Sequence, residues 1–364
     1  MKSYRAAGAL VLGSLLGAAG AQAITISYDY SYDTGGFYTS HPEAVTAMNA
    51  AAEVFNRFLD DLEPIEPSGP NTWKMNFTHP GTGAVQWVDN PVVPADTLVV
   101  FVGGRNLSGG LLAEGGPGGW SAYGTSDWLE TVQYRGEAAA SLPQPTDFGP
   151  WGGAISFDAG TDWSFSVGSG PGPGQADFLS TALHELGHVL GFGTADSWDA
   201  YVSGANFTGP VSTVVYGSSV PLSMDRAHWA GGTMGTVGGS LQVAAMTPII
   251  MLGTRLLFTD LDYAGMADIG WEYPPPGDAN ADGVVDGLDY NSWSCNYLAT
   301  PVPPASEGGW NFGNFNEDDT VDGLDYNVWS LNYDPEGQRA PLPEPAMLAA
   351  LAAGSLALLR RQRA

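Results

Sequence analysis

The stretch Phe178-Leu179-Ser180-Thr181-Ala182-Leu183-His184-Glu185-Leu186-Gly187-His188-Val189-Leu190-Gly191 decides how this chain is read. Leu179, Leu183, Leu186 and Leu190 recur at i, i+4, i+7 and i+11, which marks a helix with one face turned to a core. His184 and His188 lie four apart, on one helix face, in an H-E-x-x-H pattern. Two imidazoles so placed can bind a single Zn²⁺, and Glu185, one position on, can reach a water held by that metal and take its proton. Gly191 supplies the positive φ that ends such a helix. The plain alternative is a helix that carries two surface histidines near a glutamate.

The surroundings read as α+β. Ile24 to Tyr32 alternates like a strand. His41-Pro42-Glu43 opens a helical pattern in which Ala47, Ala51, Val54, Phe55, Phe58, Leu59 and Leu62 recur at spacings of three and four. Thr97 to Val102 and Ala154 to Asp158 read as strands, with a Gly-rich loop over 103–120 between them. Trp151 to Asp158 is a candidate edge strand that would hold a peptide in extended form. Zinc needs a third protein ligand and an open position. Thr194 stands where a short extension of the motif would place it, and Asp196 lies two residues late. The other histidines are His41 and His79, both before prolines and read as surface residues, and His228.

Downstream, His228-Trp229, Ala245-Met246-Thr247-Pro248, Phe258-Thr259-Asp260-Leu261-Asp262-Tyr263 and Asp268-Ile269-Gly270-Trp271 follow in order. Together with the H-E-x-x-H helix, this order resembles the leishmanolysin-like branch of metzincin zinc proteases. The resemblance implies a metzincin-like catalytic domain over 24–273, a twisted sheet with an active-site helix. It implies His228 as third zinc ligand beside His184 and His188, Glu185 as catalytic base, and Met246 as the methionine of a turn beneath the metal. The implied activity is zinc-dependent endopeptidase action on a protein or peptide substrate. The cysteines and prodomain of leishmanolysin have no counterpart here.

Tyr273-Pro274-Pro275-Pro276-Gly277 reads as a linker, with 274–277 at its centre. A repeat of period 36 follows over 278–335, and Gly283–Tyr297 matches Asp319–Tyr333 at 11 of 15 positions. Each copy spaces its oxygen-bearing residues as an EF-hand loop does. Asp278, Asn280, Asp282, Val284 (through its carbonyl), Asp286 and Asp289 form the first set of calcium ligands. Asn314, Asn316, Asp318, Thr320 (likewise), Asp322 and Asp325 form the second. Asn314 in place of an acid and Asp319 in place of the turn glycine predict a weaker second site. Loop then helix, twice, resembles a type I dockerin-like module, small and α-helical, and implies Ca²⁺ and a cohesin-like partner. Cys295 aligns with Leu331, so the position is expected to want a small hydrophobe.

Both ends read as addresses. Residues 1–23 have the basic start, apolar run and Ala21-Gln22-Ala23 site of a signal peptide. Within 336–364, Pro343-Glu344-Pro345, an apolar run from Ala346 to Leu359, and Arg360, Arg361 and Arg363 occur in that order. This resembles the PEP-CTERM sorting segment of Gram-negative bacteria. It implies export across the inner membrane, transient membrane insertion through the C-terminal helix, processing by an exosortase-type enzyme, and display at the cell surface or in extracellular matrix. The net charge of −27, from 12 basic and 39 acidic residues, argues against nucleic acid as partner. A single cysteine excludes a disulfide framework. The alternative to an enzyme is a catalytically inactive surface or matrix protein that acts through its calcium-dependent binding module.

Overall fold

Alternation along Thr97–Arg105 sends Leu98, Val100 and Val102 into one hydrophobic core and Val99 and Phe101 against another. A strand buried on both faces must sit in the middle of a layered structure, and it does. The computed structural model describes residues 22–299, 309–316, 318 and 320–335. The segments read as signal (1–23) and sorting signal (336–364) lie outside these, apart from Gln22 and Ala23, which pair with Asp60 and Leu59.

The principal strands are β1 (Thr25–Asp29), β2 (Thr72–Thr78), β3 (Val85–Asp89), β4 (Thr97–Arg105), β5 (Ala113–Pro117), β6 (Gly119–Tyr123) and β7 (Gly152–Asp158). The helices used below are α1 (Glu43–Phe55), α2 (Ser126–Tyr134), α3 (Phe178–Val189), α4 (Pro210–Tyr216), α5 (Asp260–Asp268), α6 (Gly287–Cys295) and α7 (Gly323–Asn332). The central sheet has the order β1-β4-β7-β5. β1, β4 and β7 run parallel, with Thr25 opposite Thr97 and Val99 opposite Gly152, and β5 runs antiparallel to β7 with Ala113 opposite Phe157. An antiparallel sheet of order β3-β2-β6 covers one face, where Trp73, Met75, Phe77, Phe101 and Trp151 form the smaller core. Helices α1 and α3 cover the other face over the larger core, which includes Ile155, Phe157, Leu179, Leu183 and Leu186. Each such side chain, fully buried, contributes about 1.5–3 kcal/mol. The fold is α+β.

Three expectations change on contact with the structure. β7 is interior, paired with β4 on one side and β5 on the other, so Trp151–Asp158 is not an edge. The edge on that side of the sheet is β5, which lies inside the stretch read as loop. Its sequence, Ala-Glu-Gly-Gly-Pro, carries no β-branched or aromatic residue, and Pro117 is tolerated because an edge strand leaves one row of N–H groups unpaired. The apolar row read as one helix to Leu62 stops at Phe55. There Asn56 turns its side chain to accept the Ile26 N–H at 2.8 Å, and Phe58, Leu59 and Leu62 are buried from extended chain instead.

In the repeat, α6 and α7 each begin with a reciprocal capping box, Asp286 with Asp289 and Asp322 with Asp325. The two halves hold each other. Trp293 Nε1 donates to Asp322 O at 2.7 Å, and Trp329 Nε1 donates to Asp286 O at 2.9 Å. Cys295 is exposed, as is Leu331, so this repeat position is a surface position and not a packed one. Among the described residues no helix is long and apolar enough to cross a membrane.

Candidate metal centre and the acidic loops

Helix α3 starts where Asp177 accepts the Ser180 N–H, and Arg255 pins that carboxylate with a 2.8 Å ion pair. Its twelve residues are all buried, including His184, Glu185 and His188. After Leu190 the chain turns at Gly191, whose φ is +104°, as its position required. The turn brings Phe192 O back to His188 Nδ1 at 2.8 Å.

Three histidines meet. The Nε2 atoms of His184, His188 and His228 lie 3.1 Å (184–188), 3.0 Å (188–228) and 3.2 Å (184–228) apart. Each Nδ1 faces an oxygen: Ala245 O for His184 at 2.8 Å, Phe192 O for His188, and Asp225 Oδ2 for His228 at 2.9 Å. A carbonyl can only accept, so Nδ1 carries the proton in His184 and His188 and their Nε2 atoms are lone-pair donors. Burial, reinforced by the neighbouring imidazoles, holds His184 well below its ordinary pKa and pushes His188 down to about 4. Neutral imidazoles that aim their lone pairs at a common point make a cation site, and the arrangement could bind a metal. Asp196 is exposed at the start of the short helix Asp196–Ala200 and takes no part in this cluster, and Thr194 donates to His188 O instead. His79 and His41 lie elsewhere, His79 accepting the Gly81 N–H and His41 3.9 Å from Glu43.

Met246 is fully buried against this helix: a Cβ on Gly187 would come within 2.8 Å of its Sδ. The turn that carries it hangs on one carboxylate. Asp262, wholly buried, accepts from Ala245 N (2.8 Å), Met246 N (3.2 Å), Thr259 N (2.9 Å), Thr259 Oγ1 (2.7 Å) and Trp229 Nε1 (3.0 Å). Five donors on one carboxylate join α5, the Met246 turn and the residue next to His228 into a single rigid support.

Glu185 is buried beside β5. A Cβ on Gly115 would lie 2.9 Å from both Glu185 Cβ and its Oε2, so the strand passes this close only because the position is glycine. Burial, with Glu114 adding to it, pushes the Glu185 carboxyl up to about 8, against the pull of a Gly115 backbone hydrogen bond. Glu114 is itself paired with Arg105.

The acidic loops are built differently. In the first, Asp289 accepts Ala279 N (2.8 Å), Asn280 N (3.2 Å) and Asp286 N (2.7 Å), and Asp278 accepts Asp282 N and Gly283 N. Asn280 and Asp282 bond each other, and Val284 N donates to Asp282. The second repeats the pattern: Asp325 accepts Phe315 N, Asn316 N and Asp322 N, Asn316 pairs with Asp318, and Thr320 N donates to Asp318. Burial pushes Asp278 up to about 7 and raises Asp289 and Asp325 as well. Asn314 replaces Asp278 and turns its Nδ2 toward Asp318 O. Among the described residues, three Asp, Glu, His or Cys ligand atoms come within 4.8 Å of one another at the three histidines and at Asp60, Asp61 and Glu137, and in neither loop.

Sequence reasoning missed Asp225, three residues before His228, although a ligating histidine calls for an oxygen on its other nitrogen. It also missed Asp262 and β5. No known family model, curated protein or solved structure matches this chain.

Proposed function

We propose that the chain is an exported zinc-dependent endopeptidase of the metzincin type, in line with its leishmanolysin-like motif order. The observation that carries this reading is the convergence of His184, His188 and His228 with Glu185 beside the edge strand β5. The donor set suits zinc: a tetrahedral ion with Zn–N bonds of about 2.0–2.1 Å holds two ligand nitrogens about 3.3–3.4 Å apart, close to the 3.0–3.2 Å found. When bound, zinc supplies Lewis-acid polarisation of the scissile carbonyl and a water acidic enough to ionise near neutral pH.

The residues of the chain do the rest. Glu185 accepts the proton of the attacking water and passes it to the leaving amine. Its burial favours a carboxyl able to hold that proton between the two transfers. β5 is paired on one side only, so its other edge can add an extended peptide as a further antiparallel strand. The Asp225 carboxylate orients the His228 ring, and Asp262 fixes the floor on which Met246 sits.

The module at 278–335 fits a dockerin-like Ca²⁺ unit. The matched loops support that, and the exposed Leu288, Leu324 and Leu331 offer a surface for a cohesin-like partner. With the expected end segments, the enzyme works at the surface or in the matrix of a Gram-negative cell. The test uses the purified full chain: a casein-type substrate is cleaved with zinc, cleavage stops on chelation, and zinc alone restores it. A zinc-loaded chain that cleaves no protein substrate overturns the peptidase reading and favours an inactive surface protein acting through its calcium module.

A further inference from the structure

We propose that Asp60, Asp61 and Glu137 form a binding site for a divalent, oxygen-preferring cation of the calcium class, sharing no residue with the three histidines or the acidic repeat loops. Each of the three side chains brings a carboxylate oxygen to within 4.8 Å of the others. Asp60 and Glu137 are only 8% and 7% exposed, and Oε1 of Glu137 is buried and receives no hydrogen bond from an N–H or hydroxyl, its neighbours being the Asp60 and Asp147 carboxyls. The Asp60 carboxylate accepts the Asp61 N–H. Asp147, half-buried, adds a fourth acid beside Glu137.

The basic residue that could neutralise this group is Arg135, fully buried two positions before Glu137. Its guanidinium donates its hydrogen bonds elsewhere, to Glu63 O (2.8 Å), Pro94 O (2.8 Å), Thr97 O (2.9 Å) and Pro150 O (3.1 Å), and its charge reaches Asp60 and Glu137 only through space. None of the ion pairs within 4.0 Å among the described residues includes Asp60, Asp61 or Glu137. A buried carboxylate left without a partner is costly, and crowding several together raises that cost. A hard cation with all-oxygen ligands removes it, and three carboxylates with water fit calcium better than a metal that prefers nitrogen or sulfur.

Asp61 is exposed, which gives the ion a way in. Asp60 ends the short strand Leu59–Asp60, whose Leu59 N–H bonds Glu272 O, and Glu137 follows directly on the turn that ends α2. The ion would therefore staple the segment after α1 to the end of α2.

The test counts calcium bound per purified full chain by equilibrium dialysis and follows thermal unfolding in zinc-supplemented buffer. Glu137→Gln is expected to bind one calcium fewer than wild type. Without calcium it should unfold at the same temperature as wild type or higher, because an amide relieves the crowding of buried carboxyl groups around Glu137. With calcium the wild type should overtake it. That reversal separates a cation site from simple packing, in which the variant would lose stability under both conditions. If Glu137→Gln does not fold, the exposed Asp61→Asn reports the same loss of one calcium. Equal calcium counts in wild type and both variants would overturn the proposal and leave carboxyl groups that share protons.

Discussion

The three-histidine centre and the two acidic loops both gather metal-ligand residue types, and they do so by opposite routes. At the histidines the ligands come from positions 40 and 44 residues apart as well as from one helix, and each is oriented by an oxygen outside the ligand set. In the loops the described ligand-position carboxylates are held by N–H groups of their own dozen residues. The first is a site that the tertiary fold makes. The second is a turn whose internal hydrogen bonds occupy much of its oxygen surface. The histidines therefore form a rigid, long-range assembly, while the loops can exchange backbone bonds for a cation.

The sharpest blow to this comparison falls at Glu185. If the proposed zinc peptidase reading holds, Glu185→Gln should lower turnover by about 10²–10⁴-fold, the range for a lost general base, while zinc content by elemental analysis stays at wild type. Loss of zinc along with activity would mean that the buried carboxylate supports the ligands rather than the chemistry.

A buried carboxylate outside both regions gives a scale for the loops. Burial pushes Asp268 up to about 6, against hydrogen bonds from the Val211 and Ser212 N–H groups at the start of α4. Because the folded value lies above the unfolded one, its stabilising protonation is fully present below about pH 3.8. It is lost as pH rises through about 6, at most about 3 kcal/mol in all. Denaturant titrations from pH 4 to 7 should show wild type losing stability relative to Asp268→Asn over that window and holding level above it. A flat difference would show that the hydrogen bonds compensate fully.

Asp225→Asn tests whether the outer oxygen matters to the histidines. Zinc affinity, measured by competition with a chelating dye, should fall about 10–100-fold, the usual effect of a lost partner to a ligating imidazole. An unchanged affinity would mean that the backbone alone sets the His228 ring.

The smallest effect belongs to the second loop. Asn314→Asp restores the acid present at Asp278 and should tighten calcium about tenfold, near 1.4 kcal/mol. It should also lower stability without calcium, because the Asn314 Nδ2 bond to Asp318 O is lost. Calorimetry at low and high calcium reads both.

How much of this was legible in the sequence follows the same division. The helix from Phe178, its stop at Gly191 and the loop-then-helix order of the repeat are local patterns, and spacing alone marks them. The meeting of His228 with the helix rests on chain folding between 192 and 227, which no spacing rule encodes. It was reached through a resemblance in motif order. β5 escaped notice because Gly115, Gly116 and Pro117 have loop chemistry, yet Gly115 is what lets the strand pass Glu185. The false continuation of α1 to Leu62 arose because buried extended chain and a helix face can share an apolar rhythm over a few residues. Asp262 left no signal, since a lone acid in a helix cap looks the same whether or not its other lone pairs support a distant turn.

The crossed tryptophan bonds of the repeat make its two halves mutually dependent. Trp293 reaches into the second half and Trp329 into the first through the same pair of atoms, and a Cβ placed on Gly277 or Gly313 would come within 2.8 or 2.6 Å of the opposite tryptophan Cα. The two halves are thus related by an approximate two-fold axis, the geometry of an isologous dimer. A half cut from the other would lose one crossed bond as donor and one as acceptor, so the two copies are expected to unfold as one cooperative unit.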